Sequence, residues 1–366
     1  MRPVRGKRIV AILAAGGLTF AAAACGDAPD ETPAGSGSGA STAAAYKACM
    51  VTDTGGIDDK SFNASAWAGL QEAKTQATGL DPKNTVSSSE ADYQPNLNTF
   101  VTQECNFILA VGGLMIDATK EVAAANAKSQ FAIVDGKVDG ASNVYPMQFE
   151  TDQAAFLAGY LAAGYSKSGK VATFGGIKLP SVAIFMDGFA DGVAYFNKAK
   201  SKNVQVLGWD KAKQNGTFAE SFGDQAKGKA IASTFAAQGA DVIMPVAGGT
   251  GLGAAAYAKE TSGKVSVIWV DQDGCKSAEQ YCDVFLTTVV KNITDAVEKA
   301  VVAGASGQPL AATPGYLGTL ANEGVSLAPY NQFDSKVDAG LKAEVDKLKA
   351  DIVAGTVKVE SPNAPK

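Results

Sequence analysis

Val265-Ser-Val-Ile-Trp-Val270, closed by Asp271, decides how this chain is read. The run is too short for a helix of ordinary length and nearly free of polar residues. An alternating pattern would mark a strand with one wet face; a continuous apolar run marks one covered on both faces, as in a parallel sheet. Phe131-Ala-Ile-Val134 is a second run of this kind. Further strands are expected at Tyr46–Val51, Thr85–Ser89, Phe107–Val111, Val144–Phe149, Val171–Phe174, Val204–Trp209, Val242–Val246 and Val284–Val290. Helical stretches separate most of them: Asn63–Ala77, Met115–Ala127, Asp152–Tyr165, Val182–Asn197, Phe222–Ala237 and Asn292–Val302. Strands alternating with helices give the doubly wound α/β class.

In open parallel sheets, ligands bind beyond the carboxyl ends of the strands. Those ends are polar here in a repeated way. Asp53 follows the first strand, Asp135 the Phe131 run and Asp271 the Val265 run. Gly248-Gly249 and Lys291 follow two others. One Asp after a strand is ordinarily a cap or turn former. Three in one fold form a pattern that points to a site.

The chain has 366 residues and no histidine, and its arginines are confined to Arg2, Arg5 and Arg8. These lie with Lys7 ahead of a small, apolar run, Ile9 to Ala24. A basic start, a short apolar run and small residues before a cleavage point describe a signal peptide over 1–24. Cys25 at its end resembles a bacterial lipobox cysteine, with Ala22 where Leu is commoner. Lipidation of Cys25 is therefore expected, with 25–45 as a flexible tether lacking large apolar residues, and the protein on the outer face of the membrane. No further run is long enough to span a bilayer.

The absences narrow the function. Without arginine beyond residue 8 and with a net charge of −5, the chain does not suit nucleic acid. Without histidine it lacks the commonest general base and zinc ligand, so neither catalysis nor a metal or cofactor is expected. It also lacks the fork-shaped clamp that arginine offers to carboxylates and phosphates.

Two nucleotide motifs nearly match. Gly164 to Lys170 has the GxxxxGK frame but no following Ser/Thr, and it lies between a helix and a strand, the reverse of a phosphate loop. Gly249-Thr-Gly251-Leu-Gly253-Ala254 fits GxGxxA, follows a strand and precedes Asp271 by the interval of a ribose-binding acid. It comes late in the chain, however, and an exported protein meets little dinucleotide. Asp58-Asp59 ahead of Ser61 reads as a helix N-terminus rather than an acid–base pair.

Cys49, Cys105, Cys275 and Cys282 are an even set in an exported chain. Cys275 and Cys282 bracket a short polar loop and are the natural local pair. Cys49 and Cys105 would then pair across neighbouring strands, and four buried thiols are the alternative.

Thr52-Asp-Thr-Gly-Gly-Ile-Asp-Asp-Lys-Ser-Phe-Asn63, through Trp67, resembles the basic membrane protein family. The likeness continues in Leu157–Leu161, Gly188-Phe189, Pro245–Thr250, Val289–Asn292 and Gly324–Leu327, covering about Tyr46 to Tyr330. That family comprises nucleoside-binding lipoproteins of ABC importers and looks like type I periplasmic binding proteins, two α/β lobes joined by three crossings. The resemblance implies that Phe62 and Phe185 flank a base. It implies that Asp53, Asn63 and Asp135 read polar edges, and that Gly248, Asp271 and Lys291 hold a sugar. It also implies a monomer working with a membrane permease and an ATPase. Lobe 1 is expected at 46–147 plus 283–308, and lobe 2 at 148–282 plus 309–366. Ile184, where relatives often carry Arg, and the Cys275–Cys282 loop depart from the pattern and are expected near the cleft. A sugar, a sensor role and a dinucleotide enzyme are the rival readings.

Overall fold

The computed structural model describes residues 45–365; the expected signal peptide, the expected lipidation at Cys25 and nearly all of the expected tether lie outside them. Among the described residues no helix is long and apolar enough to cross a membrane.

The chain begins with β1 (Tyr46–Thr52), α1 (Phe62–Gln76), β2 (Leu80–Thr85), α2 (Tyr93–Thr102), β3 (Phe107–Val111), α3 (Ile116–Ala125), β4 (Phe131–Val134) and β5 (Val144–Phe149). It continues through α4 (Thr151–Tyr165), β6 (Lys170–Gly175), α5 (Pro180–Lys200), β7 (Gln205–Leu207) and a small ribbon of β8 (Trp209–Asp210) and β9 (Asn215–Gly216). Then come α6 (Gln225–Ala237), β10 (Val242–Val246), α7 (Gly251–Glu260), β11 (Ser266–Asp271), α8 (Gly274–Ser277) and β12 (Phe285–Lys291). The last elements are α9 (Ile293–Ala305), β13 (Tyr316–Gly318), β14 (Val325–Leu327) and α10 (Ala339–Val353).

Two six-stranded sheets result, ordered β13-β5-β4-β3-β1-β2 and β14-β12-β11-β10-β6-β7. All pairings in the first are parallel, and β14 is the antiparallel strand of the second. The unbroken apolar run Val265–Val270 follows from burial on both faces of its strand. Along β11, Val267 and Trp269 enter one core cluster while Ile268 and Val270 enter another. Strand β1 splits likewise, with Ala48 and Met50 on one side and Cys49 and Val51 on the other. Side chains alternate across a strand, so two buried faces demand an apolar residue at every position.

The sheets divide the chain differently from the expected lobe boundaries. Phe285–Lys291, expected in lobe 1, lies in the second sheet between β11 and β14. The short connection through α8 lets β12 continue the parallel sheet beside β11. Tyr316–Gly318, expected in lobe 2, pairs with β5 at the edge of the first sheet. The expected strand Thr85–Ser89 instead runs Leu80–Thr85. It is an edge strand, where Pro82 costs no ladder bond.

Three crossings join the sheets: β5 to α4, β12 to α9 and β13 to β14. They are laced together. Glu150 N–H donates to the Gly318 carbonyl at 2.8 Å, Leu320 N–H to Gln153 Oε1 at 2.9 Å, and Asn292 N–H to the Gly324 carbonyl at 2.9 Å. Disulfides join Cys49 to Cys105 and Cys275 to Cys282.

Candidate functional site

The carboxyl ends of both sheets face one cavity. All eight residues singled out from the sequence line it. Asp53 follows β1, Asp135 follows β4, and Asp271 and Lys291 end β11 and β12. Gly248 follows β10, Phe62 and Asn63 open α1, and Phe185 lies early in α5. Asp135 and Asp271 take left-handed backbone angles, with φ of 58° and 68°. Aspartate is among the few non-glycine residues that adopt this conformation readily, and it bends the chain out of the strand at the mouth of the site.

The polar groups fall into two clusters. In the first, Asp53 Oδ1 accepts from Asn63 Nδ2 at 2.8 Å and from Gly55 N–H at 2.9 Å. Asn63 Oδ1 is buried and has no hydrogen-bond partner among the described residues. A buried acceptor without a donor is costly, so a ligand N–H or O–H has a place waiting there. Gly112 keeps the neighbourhood of Asp53 clear: with φ of 113°, a Cβ there would sit 2.9 Å from Asp53 Oδ2. Asp59, beside this cluster, accepts the backbone N–H groups of Ser61, Asn63 and Ala64 at 2.8–3.0 Å. It is the helix-N-terminus acid that the sequence suggested, and it also lines the cavity.

In the second cluster, the Lys291 ammonium donates to Asp135 Oδ2 and lies 3.6 Å from Asp271 Oδ1. Its side chain is 2% exposed. It also lies 4.9 Å from the Phe62 ring centre and 5.0 Å from that of Phe185, within cation–π range. Asp135 therefore belongs with Asp271 and Lys291 rather than with Asp53 and Asn63.

Burial pushes the carboxyls of Asp53 and Asp135 upward; Asn63 opposes this at the first and Lys291 at the second. Burial pushes Asp59 up to about 7 against its three amide donors. The cavity thus sets four carboxyl groups against one ammonium that is already paired. Such a lining offers hydrogen-bonding oxygens and aromatic faces and no free cation to an anion.

Phe222 also lines the cavity, and sequence reasoning missed it. It was expected inside a helix, but α6 begins at Gln225, capped by Asp224, which leaves Phe222 in the preceding loop. Leu179, Ser181 and Val182 add a wall from the start of α5 that no motif marked. Ile184, expected near the cleft, lines an adjoining cavity that shares Gly113, Asp135, Leu179 and Ser181 with this one, whereas the Cys275–Cys282 loop lines neither.

Both nucleotide look-alikes have structural explanations. The backbone N–H groups of Lys167 and Ser168 donate to Asp241 Oδ2 at 2.7 and 2.8 Å, so a carboxylate occupies the amides of the GxxxxGK loop. In the GxGxxA segment, a Cβ on Gly253 would come within 1.9 Å of the Gln225 carbonyl. That glycine serves the close packing of α7 on α6.

Comparison with known proteins agrees with this architecture. Residues 46–354 match the family model described as "ABC transporter substrate-binding protein PnrA-like". The chain is 36% identical to a CD4+ T-cell-stimulating antigen of Listeria innocua, over 92% of this chain and 93% of that protein. It is 32% identical to the ABC transporter nucleoside-binding protein BmpA of Lactococcus lactis, over 86% and 89%. A solute-binding protein of an Aeropyrum pernix ABC transporter system superposes with a TM-score of 0.78 at 23% identity, over 86% of this chain and 93% of that one. The chain belongs to the Bmp family, the PnrA-like substrate-binding proteins of ABC transporters, which are binding proteins and not enzymes.

Proposed function

We propose that the protein captures a nucleoside, preferentially a purine nucleoside, and delivers it to an ABC permease and its ATPase. It works as a monomer, held to the outer face of the membrane by a lipid on Cys25. One observation carries the ligand class: a cavity in which carboxyl and amide oxygens, among them the unpartnered Asn63 Oδ1, and no free cationic clamp meet phenylalanine faces. A ligand that fits brings a flat ring and several donors and carries no negative charge. A nucleoside has all three properties. Phe62 and Phe185 flank its base, Asp53 and Asn63 accept from the base edge, and Asp271, with Lys291, Asp135 and Gly248, receives the sugar hydroxyls. An amino acid or a nucleotide would set its carboxylate or phosphate against the acids, with no arginine to hold it. The relative named a nucleoside-binding protein supports the same reading.

Thermal-shift screening against nucleosides, free bases, pentoses and amino acids tests it. A ligand that binds the folded state raises the melting temperature by mass action. Purine nucleosides are expected to give the largest rise. A response to a sugar or an amino acid, with none to any nucleoside, would reject the reading.

A further inference from the structure

Between β1 and α1, the segment around Lys60 and Ser61 reaches from the first lobe to the end of β11 in the second. The Ser61 hydroxyl is fully buried and lies 2.6 Å from Asp271 Oδ2 and 3.2 Å from the Val270 carbonyl. It has one proton, and the short distance assigns that proton to the carboxylate. One residue earlier, the Lys60 carbonyl accepts from the indole Nε1–H of Trp269 at 3.2 Å. Trp269 is itself fully buried. Lys60 has φ of 57°, a left-handed angle uncommon for a long side chain. A non-glycine residue keeps such an angle when its surroundings hold it there.

None of these groups needs a ligand to make its contact. Lys60, Ser61, Trp269 and Val270 do not line the cavity. Both hydrogen bonds, Ser61 to Asp271 and Trp269 to the Lys60 carbonyl, cross between lobes and cannot survive separation of the sheets. The Cys275–Cys282 bridge follows β11 directly and ties down the loop on the far side of Asp271.

We infer that Lys60 and Ser61 form a latch onto Trp269 and Asp271 that holds the lobes closed, and that Ser61 is a positioning residue which fixes the Asp271 carboxylate for the ligand. Closure then has two separable contributions. The ligand bridges the lobes from inside the cavity, and the latch bridges them from outside it. A binding-competent state that is only partly populated weakens apparent affinity in proportion, so the latch raises affinity for any ligand, and through Asp271 most for one that bonds that carboxylate. The inference rests on capture by lobe closure and does not depend on the ligand being a nucleoside.

Single-molecule energy transfer between dyes at Lys120 in α3 and Lys227 in α6 reads the closed-state lifetime directly. It is measured first without ligand and then with inosine. Loss of a hydrogen bond to a charged group predicts that Ser61→Ala shortens the closed lifetime about tenfold in both conditions. Trp269→Phe keeps a ring but loses the donor, and shortens it in the same direction. Thr294→Val removes a bond to the Ser65 carbonyl that stays within the first lobe, and leaves the lifetime unchanged. Unchanged lifetimes in both latch variants, or a wild-type protein that never closes, would overturn the inference. Should inosine fail to lengthen the wild-type lifetime while the variants still shorten it, the nucleoside reading fails and the latch stands.

Discussion

The two polar clusters of the cavity differ in where their members come from. Asp53 and Asn63 both belong to the first lobe, after β1 and on α1, so their bond does not cross the cleft. Asp135 belongs to the first lobe, whereas Lys291 and Asp271 belong to the second. That cluster, with Ser61 bonded to Asp271, is complete only when the lobes meet. The comparison separates two tasks. A cluster made in advance can read a ligand at first contact, while one assembled by closure adds its interaction only once the ligand is enclosed.

Lys291→Met should break the difference most strongly. It leaves two buried acids without their cation, and removing one partner of a buried pair predicts an affinity loss of roughly a hundredfold or more. Titration calorimetry with a purine nucleoside measures it; a loss below about tenfold would deny the cluster its role in closure. Phe62→Ala comes next. A base stacked on an aromatic ring predicts a loss of about thirtyfold, similar for nucleoside and free base because the ring meets the base alone. A loss confined to the nucleoside would place the sugar there instead. Asp53→Asn should cost about tenfold and change the order of preference among bases, because it replaces one carboxyl oxygen with an amide donor at the cluster. An equal loss for every base would mean that Asp53 supports the loop without reading the ligand.

The smallest expected effect is on pH dependence. Burial raises Asp59 to about 7 in the folded protein, above its unfolded value. The folded state then holds the proton more tightly, so this contribution to stability is fully present below the unfolded value and is lost as pH rises through about 7. Asp152, buried at the start of α4 and also raised to about 7, acts with the same sign. These two groups predict a melting temperature that falls between about pH 4 and pH 7 and levels off above, and Asp59→Asn should flatten the fall. A variant as steep as the wild type would remove Asp59 as a source.

Much of the first cluster was legible in the sequence because its parts are local. Asp53, Phe62 and Asn63 lie within one loop and helix start, in a segment with specific residue types. The strand runs were legible for a different reason: two buried faces leave an unbroken apolar signature, as in β4 and β11. The second cluster was legible only as separate residues at strand ends, and nothing near Asp135 announces Lys291 as its partner. Strand β12 was placed in the wrong lobe because an apolar run shows burial and not which neighbour it pairs with. Phe222 was missed because a lone aromatic ahead of a helix cap has no spacing to mark it. The Ser61–Asp271 bond joins residues 210 positions apart, and only the folded chain brings them together.

Calorimetric titration of the protein with inosine and with inosine 5′-monophosphate tests the central claim, that an acid-lined, aromatic cleft captures an uncharged nucleoside. Four buried carboxyl groups facing a single paired ammonium predict saturable binding of inosine, with the phosphate at least about a hundredfold weaker. Equal or tighter binding of the phosphate would contradict it.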